Sequence, residues 1–309
     1  MPTIAGQPVV VAITTFKRPK LLGELLDTVQ AFVQKVPQPW VVSVLVVDND
    51  PAETARTVVA TRIGVKYVAE SKPGIAAVRQ RAIDEAGEGS LLAFLDDDVF
   101  PEAAWLGELL KTWQSYSPTI VAGYVNYSYP DVTDAWVVGG GFMRRDTRPT
   151  GAELQAAAAG NMLVDVTAVR SLGVRFDATL GFSGGEDTLF TRQVVRSGGR
   201  IIWCQESVVA DFIPLERTTR KFCLNRARSH GSTAVLVDLR LAASPTARMM
   251  VRVKALVGGL LRIGWGLIRS AAGKVTSQEG KAGTGARIAS RGLGMLGASL
   301  GLQSDEYRR

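Results

Sequence analysis

Short apolar runs alternate with amphipathic stretches through the first half of the chain. Val9–Ile13 (VVVAI) is uniformly apolar and predicts a buried strand. From Lys20 to Val33 apolar residues recur at helical spacing, through Leu22, Leu25, Leu26 and Val29. The rhythm then repeats: strand Val41–Val47, helix near Glu53–Thr61, short strand Val65–Val68, helix Ile75–Ala86 and strand Leu91–Leu95. Pro101 stands where a first-turn proline belongs and predicts a helix over EAAWLGELLKTW, with a further strand at Ile120–Val125. From Tyr127 to Ala159 the pattern loosens around Gly139-Gly140-Gly141 and Arg144-Arg145, which fits a mobile loop over an active site and equally plain surface irregularity. Order returns at Gly160–Val166, at a helix over Thr188–Arg196, at a strand over Arg200–Cys204 and in a long basic helical region from Arg217 to Leu239.

Alternating strands and helices predict an α/β fold, a mostly parallel, Rossmann-like sheet with helices on both faces. Ligands of such sheets bind beyond the carboxyl ends of the strands, so the polar residues directly after each apolar run are the ones to examine. Three clusters qualify: Thr14-Thr15-Phe16, Asp48-Asn49-Asp50 and Asp96-Asp97-Asp98.

The triplet Asp96-Asp97-Asp98 ends the buried run LLAFL. Adjacent carboxylates there repel one another unless a cation or strong donors intervene, and hard oxygen ligands suit Mg²⁺ or Mn²⁺, which in turn holds a diphosphate. A solvated acidic turn gives the same pattern. Asp48 can accept hydrogen bonds from a base or ribose, while Asp48-Asn49-Asp50-Pro51 is also ordinary turn chemistry. Gly184-Gly185-Glu186-Asp187-Thr188 opens an amphipathic helix, where acids serve as caps or, alternatively, as a general base. Arg79 and Lys72 lie between the second acidic turn and the third and can meet phosphate or base edges, or simply stay wet.

Composition and charge refine this picture. The chain has 309 residues, is 46% hydrophobic and 21% charged, and carries a net charge of +7. Residues 1–240 hold 25 Lys/Arg and 26 Asp/Glu, whereas residues 241–309 hold 11 and 3. A near-neutral domain at 1–240 argues against nucleic acid as a partner, and the basic appendage at 241–309 suits an anionic one. Residues 249–272 are apolar but broken by Arg252, Lys254, Arg262 and Arg269, too often for a spanning helix. They predict an amphipathic helix, either in the interface of an anionic membrane or packed on the protein's own core. Gly292–Leu302 can do either job, and 273–286, rich in Gly, Ser and Lys, reads as a linker. Two cysteines, Cys204 and Cys223, predict free thiols, and the N-terminal residues lack a signal-peptide pattern, so the expected location is cytoplasmic.

Taken in order, ITTFKRP (13–19), VVDND (46–50), ESKPGIAAVRQRAI (70–83), FLDDD (94–98), AGNMLV (159–164) and GFSGGEDTLF (181–190) resemble the family 2 glycosyltransferases with the GT-A fold. The resemblance spans about residues 8–235, and residues 198–222 are similar to the succinoglycan-type exopolysaccharide branch. Two positions depart from that branch: Val99 replaces a further acid, and Val209-Ala210-Asp211 replaces a glutamate-bearing VxE. The resemblance implies an inverting, metal-dependent transfer from a nucleotide diphosphate sugar, UDP-linked by expectation, to a glycan or polyprenyl-linked glycolipid at the inner face of the plasma membrane. It assigns Thr14 and Phe16 to the nucleotide pocket, Asp48 to uracil or ribose, and Arg79 to base or diphosphate. Asp96, with Asp97 beside it, would reach the ribose or the metal's water shell; Asp98, as the second acid of a DXD motif, would coordinate the Mn²⁺ or Mg²⁺. Asn161 would shape the donor-sugar or acceptor site, Asp187 would be the base with Glu186 as second candidate, and His230 is a candidate extra metal ligand. Two other classes stay open: a sugar nucleotidyltransferase, and a non-catalytic nucleotide- or glycan-binding module.

Overall fold

The computed structural model describes residues 6–131, 133–180 and 184–302. Its elements are β1 (Gln7–Thr15), α1 (Pro19–Val33), β2 (Trp40–Asp48), α2 (Arg56–Ala60), β3 (Val65–Ala69), α3 (Ile75–Glu85), β4 (Leu91–Asp96), β5 (Val99–Pro101) and α4 (Trp105–Tyr116). There follow β6 (Ile120–Ser128), α5 (Ala135–Gly140), β7 (Glu153–Leu154), β8 (Asn161–Asp165), α6 (Val166–Ser171), α7 (Glu186–Arg196), β9 (Ile201–Phe212), α8 (Arg220–Leu241), α9 (Pro245–Val275) and α10 (Glu279–Ser299).

The strands form one sheet in the order β3-β2-β1-β4-β8-β6-β9-β5, with β7 on β9. The parallel half, β3-β2-β1-β4, is the expected α/β core. Beyond it β8 joins β4 and β6 joins β8 antiparallel, as do β5 and β7 on β9. The inner strands β1 and β4 are buried on both faces along most of their length, which is why their sequences are continuous apolar runs rather than alternating ones. Register brings the expected clusters side by side: Thr14 pairs with Asp96 and Thr15 with Asp48.

Two expected elements change. Pro101 closes the short strand β5 instead of opening a helix, because Val99–Pro101 pairs with Val209–Asp211 and Glu102 N donates to Val208 O; α4 starts only at Trp105. The two departures from the branch pattern, Val99 and Asp211, are thus cross-strand partners. The expected linker at 273–286 is helical except for a turn at 276–278.

The chain divides into two compact units. One holds the residues through Asn126, then 145–180 and Glu186–Asp211, and so contains the sheet core. The other holds Tyr127–Arg144, Gly184, Gly185 and the described residues from Phe212 onward, so α8 belongs with α9 and α10, earlier in the chain than the boundary expected at 240/241. In this second unit α10 is central, touching α9, α8 and α5. Its contacts are backbone to backbone: a Cβ at Gly266 would stand 2.5 Å from Ala289 N, one at Gly285 would collide with Ser270 N, and one at Gly294 with Arg228 O. The glycines of the expected linker are what let the helices meet, so they specify close packing where their composition alone signals a break.

Gly285→Val is therefore expected to destabilise by about 1–3 kcal/mol through overpacking. Gly264, in the same hairpin, has nothing within 4 Å of a built Cβ, and Gly264→Ala should stabilise by roughly 0.5–1 kcal/mol. Denaturant titration checks both; equal effects at the two sites would contradict the packing.

Candidate active site

The carboxyl ends of β1, β2 and β4 carry the three polar clusters, and each acid there has defined partners. Thr14 Oγ1 donates to Asp96 Oδ1 at 3.0 Å, and Thr15 Oγ1 donates to Asp97 Oδ2 at 2.8 Å. Phe16 N also donates to Asp97 Oδ2, at 3.3 Å. Arg18, the residue before Pro19 opens α1, places Nη1 2.7 Å from Asp97 and 2.8 Å from Asp98. Arg18 lies within the quoted motif ITTFKRP but was not expected in the site. Its signal is positional: a cation in the loop after β1 stands beside the loop after β4, the neighbouring strand.

Arg79 is the centre of the arrangement. It projects from α3, is 5% exposed, and donates through Nη2 to both oxygens of Asp96 (2.9 and 3.1 Å) and through Nη1 to Glu186 Oε1. Burial works against its charge, but Asp96, Glu186 and Asp187 outweigh burial and hold it protonated more firmly than usual. Arg79 thus joins the acidic triplet to the acidic first turn of α7, 107 residues apart for the Glu186 contact. Gly184 and Gly185, at φ +72° and +86°, make the turn into α7 that side chains with a Cβ rarely adopt. Positions 181–183 of the same motif lie outside the described residues.

The position of α3 depends on the second cluster. Asn49 Nδ2 donates to the carbonyls of Glu70 and Lys72, and Gly74 N donates back to Asn49 Oδ1 at 2.8 Å, which clamps the loop entering α3. Lys72 itself is exposed. Asp48, 1% exposed, accepts from Asp50 N, Ala55 N and the Tyr67 hydroxyl. These bonds are the turn chemistry that the sequence allowed as an alternative to nucleotide contact. Asn161 differs more from expectation: instead of facing a donor-sugar or acceptor site it is 1% exposed and fully engaged. It accepts from Trp105 Nε1 and Ser207 Oγ and donates to Tyr124 O and Ser207 O. It belongs to the frame, and Gly123 leaves it room, since a Cβ there would collide with its amide.

Asp187 is half-buried beside Glu186, and its Oδ1 accepts from Thr188 N at 2.6 Å. Glu186 has its carboxyl raised above the usual range by burial and by the Asp187 charge, with Arg79 opposing. Burial likewise pushes Asp97 up to about 6, against the pull of Arg18 and Thr15. Among the described residues no group of three or more His, Cys, Asp and Glu side chains converges to hold a metal alone. His230 is exposed on α8. A hard divalent ion shared with a diphosphate needs only one or two protein carboxylates. Asp98, whose side chain is 28% exposed, and Asp96, at 31%, fit that smaller demand, each sharing its carboxylate with an arginine. Both cysteines are free and buried, as expected.

The Asp97 shift has a sign that can be measured. The folded protein binds the Asp97 proton up to about pH 6 whereas the unfolded chain releases it near 3.8. Stability should therefore fall as pH rises from about 4 to 6, by on the order of 3 kcal/mol at most, with Glu186 acting in the same direction. Thermal melts of metal-free protein across this range should show the fall, and Asp97→Asn should flatten it. An unchanged slope in the variant would contradict the assignment.

Comparison with known proteins identifies the family. A family profile described as glycosyl transferase family 2 matches residues 10–173. The chain is 31% identical over 230 residues to the succinoglycan biosynthesis protein ExoM of Rhizobium meliloti (strain 1021), covering 72% of each chain. Among solved structures it is similar to residues 1–349 of S. aureus TarS in complex with UDP-GlcNAc, with a TM-score of 0.53, 12% identity and 90% of each chain covered. A longer TarS structure is matched at the same TM-score and 14% identity, over 79% of this chain and 41% of that one. GalNAc-T7 with UDP, GalNAc and Mn²⁺ aligns over 78% of this chain and 51% of its own, at TM-score 0.53 and 15% identity. The structural likenesses show a shared GT-A fold, and with the profile match and the ExoM relative they establish that the chain is an enzyme of glycosyltransferase family 2.

Proposed function

We propose that this enzyme is an inverting transferase that passes a sugar from a UDP-sugar to a hydroxyl of a growing polysaccharide or lipid-linked glycan. The observation that carries the reading is the Arg79 bridge, which ties the acids after β4 to the acids opening α7 at the ligand-binding end of a parallel sheet. The ExoM relative supports polysaccharide assembly, and the TarS and GalNAc-T7 complexes support a UDP-linked donor. The loop TTFKRP after β1 offers no glycine-rich grip for a triphosphate, which speaks against a sugar nucleotidyltransferase.

In this reading Asp187 accepts the proton of the acceptor hydroxyl as its oxygen forms the new bond to the anomeric carbon. The bond from that carbon to the diphosphate breaks on the opposite side, inverting the centre, and UDP leaves with the electron pair. Asp98, with Asp96, would hold a Mn²⁺ or Mg²⁺ ion, which when bound offsets the charge of the departing diphosphate. Thr14, Thr15 and Arg18 keep the triplet in place, with Asp97 as its buried anchor, and Phe16 and Asp48 border the nucleotide. Glu186, held by Arg79 with a raised proton affinity, positions the first turn of α7 and is the second candidate base. A polyprenyl-linked acceptor would be met at the inner face of the plasma membrane, where the basic C-terminal residues find an anionic surface.

Calorimetric titration with UDP, GDP, CDP and dTDP, each with and without Mn²⁺, tests the donor class; metal-dependent preference for UDP is expected. Asp187→Asn should keep UDP binding and lose transfer by roughly 10²–10⁴-fold. Asp98→Ala should weaken the metal-dependent part of UDP binding as well. Loss of UDP binding in a folded Asp187→Asn protein would overturn the base assignment.

A further inference from the structure

The two C-terminal helices are packed in the reverse sense of a water-soluble hairpin. The buried residues of α9 are Ala255, Gly259, Gly266 and Gly273, and every buried residue of α10 is Gly, Ala or Ser. The large apolar side chains of α9 point outward: Met249, Val253, Val257, Leu260, Leu261 and Ile268 are 50–68% exposed. In water an amphipathic helix hides its large apolar residues and shows its polar ones. Where the surroundings are lipid, the apolar effect between helices vanishes, small residues line the helix contact and large apolar ones face the hydrocarbon. The hairpin obeys the second rule.

Its charge points the same way. The 31 residues of α9 contain six Lys/Arg and no Asp or Glu, and α10 adds Lys281, Arg287 and Arg291 against Glu279 alone. Arg291 loses proton affinity through burial and through the nearby charges of Arg262 and Arg287, a crowding that an anion would relieve. A second copy of the chain would set one cationic helix against another, which disfavours self-association as the way to cover this face. Among the described residues no helix is long and apolar enough to cross a membrane.

We propose that the outward face of α9 is a docking surface for an anionic phospholipid bilayer, the helix lying in the plane of the interface. Its Met, Val, Leu and Ile side chains enter the acyl boundary, its Lys and Arg side chains meet headgroup phosphates, and Trp265, 59% exposed, sits at headgroup level. The glycine contacts with α10 fix which face is presented. This proposal deepens the reading that the basic C-terminal residues meet an anionic surface, and it rests on neither the donor nor the base.

The test is flotation of full-length protein with vesicles of phosphatidylcholine alone or mixed with phosphatidylglycerol, at low and high salt. Binding to the mixed vesicles only, weakened by salt and accompanied by a blue shift of Trp fluorescence, is expected. Leu260→Asn, Leu261→Asn and Ile268→Asn together should cut that binding tenfold or more. They should leave the protein folded, with a cooperative melt, and UDP binding unchanged. Lys254→Gln with Arg262→Gln should cut binding by about tenfold. The proposal is overturned if the wild-type protein fails to float, if the triple variant floats equally well, or if ultracentrifugation shows a dimer that the same triple variant dissociates without any vesicle binding. UDP binding measured on the same samples separates failure of docking from failure of the transferase reading.

Discussion

A guanidinium buried where Arg79 lies must be paired, and the candidate site follows from how that pairing is met. Its partners come from the end of β4 and the start of α7, so the positions of α3, β4 and α7 are tied through one side chain. Removing Arg79 leaves the buried Glu186 carboxylate without its cation, which costs several kcal/mol, whereas the intact triad need not be strongly stabilising by itself. The bridge is thus better understood as a positional constraint than as a source of stability. It fixes the acid turn of α7 relative to the acids after β4 while Asp96 and Asp98 stay partly exposed.

The same accounting of charge explains why a cation suits the site. Asp96, Asp97, Asp98, Glu186 and Asp187 share two arginines, Arg18 and Arg79. Protonating Glu186 or Asp97, which burial favours, relieves part of the excess. In the proposed reaction an incoming diphosphate would add negative charge to an already acidic place. A divalent ion arriving with the diphosphate resolves both demands, and a site built this way needs no preformed cage of protein ligands.

The parallel half of the fold was legible because strands covered on both faces read as unbroken apolar runs, and polar residues after them mark the ligand end. Pairings between distant residues were not. Nothing local distinguishes Arg18 as the partner of Asp97 and Asp98, or Arg79 as the partner of Glu186, from other surface cations. Asn161 shows the opposite case: a polar residue within a quoted motif need not face a ligand, since sheet crossings also require polar groups to satisfy backbone acceptors, while Asp48 serves the turn that the sequence already allowed. Short antiparallel strands such as β5 escape detection because three residues carry too little periodicity, and Pro101 then imitates a helix start.

The glycines of 273–286 read as a linker for a different reason. Propensity alone costs each about 1 kcal/mol in a helix in water, and summed over 273–286 that argues for a break. Yet Gly259, Gly266 and Gly273 recur every seven residues, two helical turns, and so fall on one face, where α10 approaches too closely for any Cβ. Close backbone contact offsets the propensity cost, but it buries little apolar area, because the large side chains are left on the other face. A hairpin held this way gains less from leaving water than its composition suggests. Covering the outer face with an apolar medium therefore stabilises it without any change in its internal packing, and a rigid inner contact with an unsatisfied outer face is what separates a docking helix from a linker.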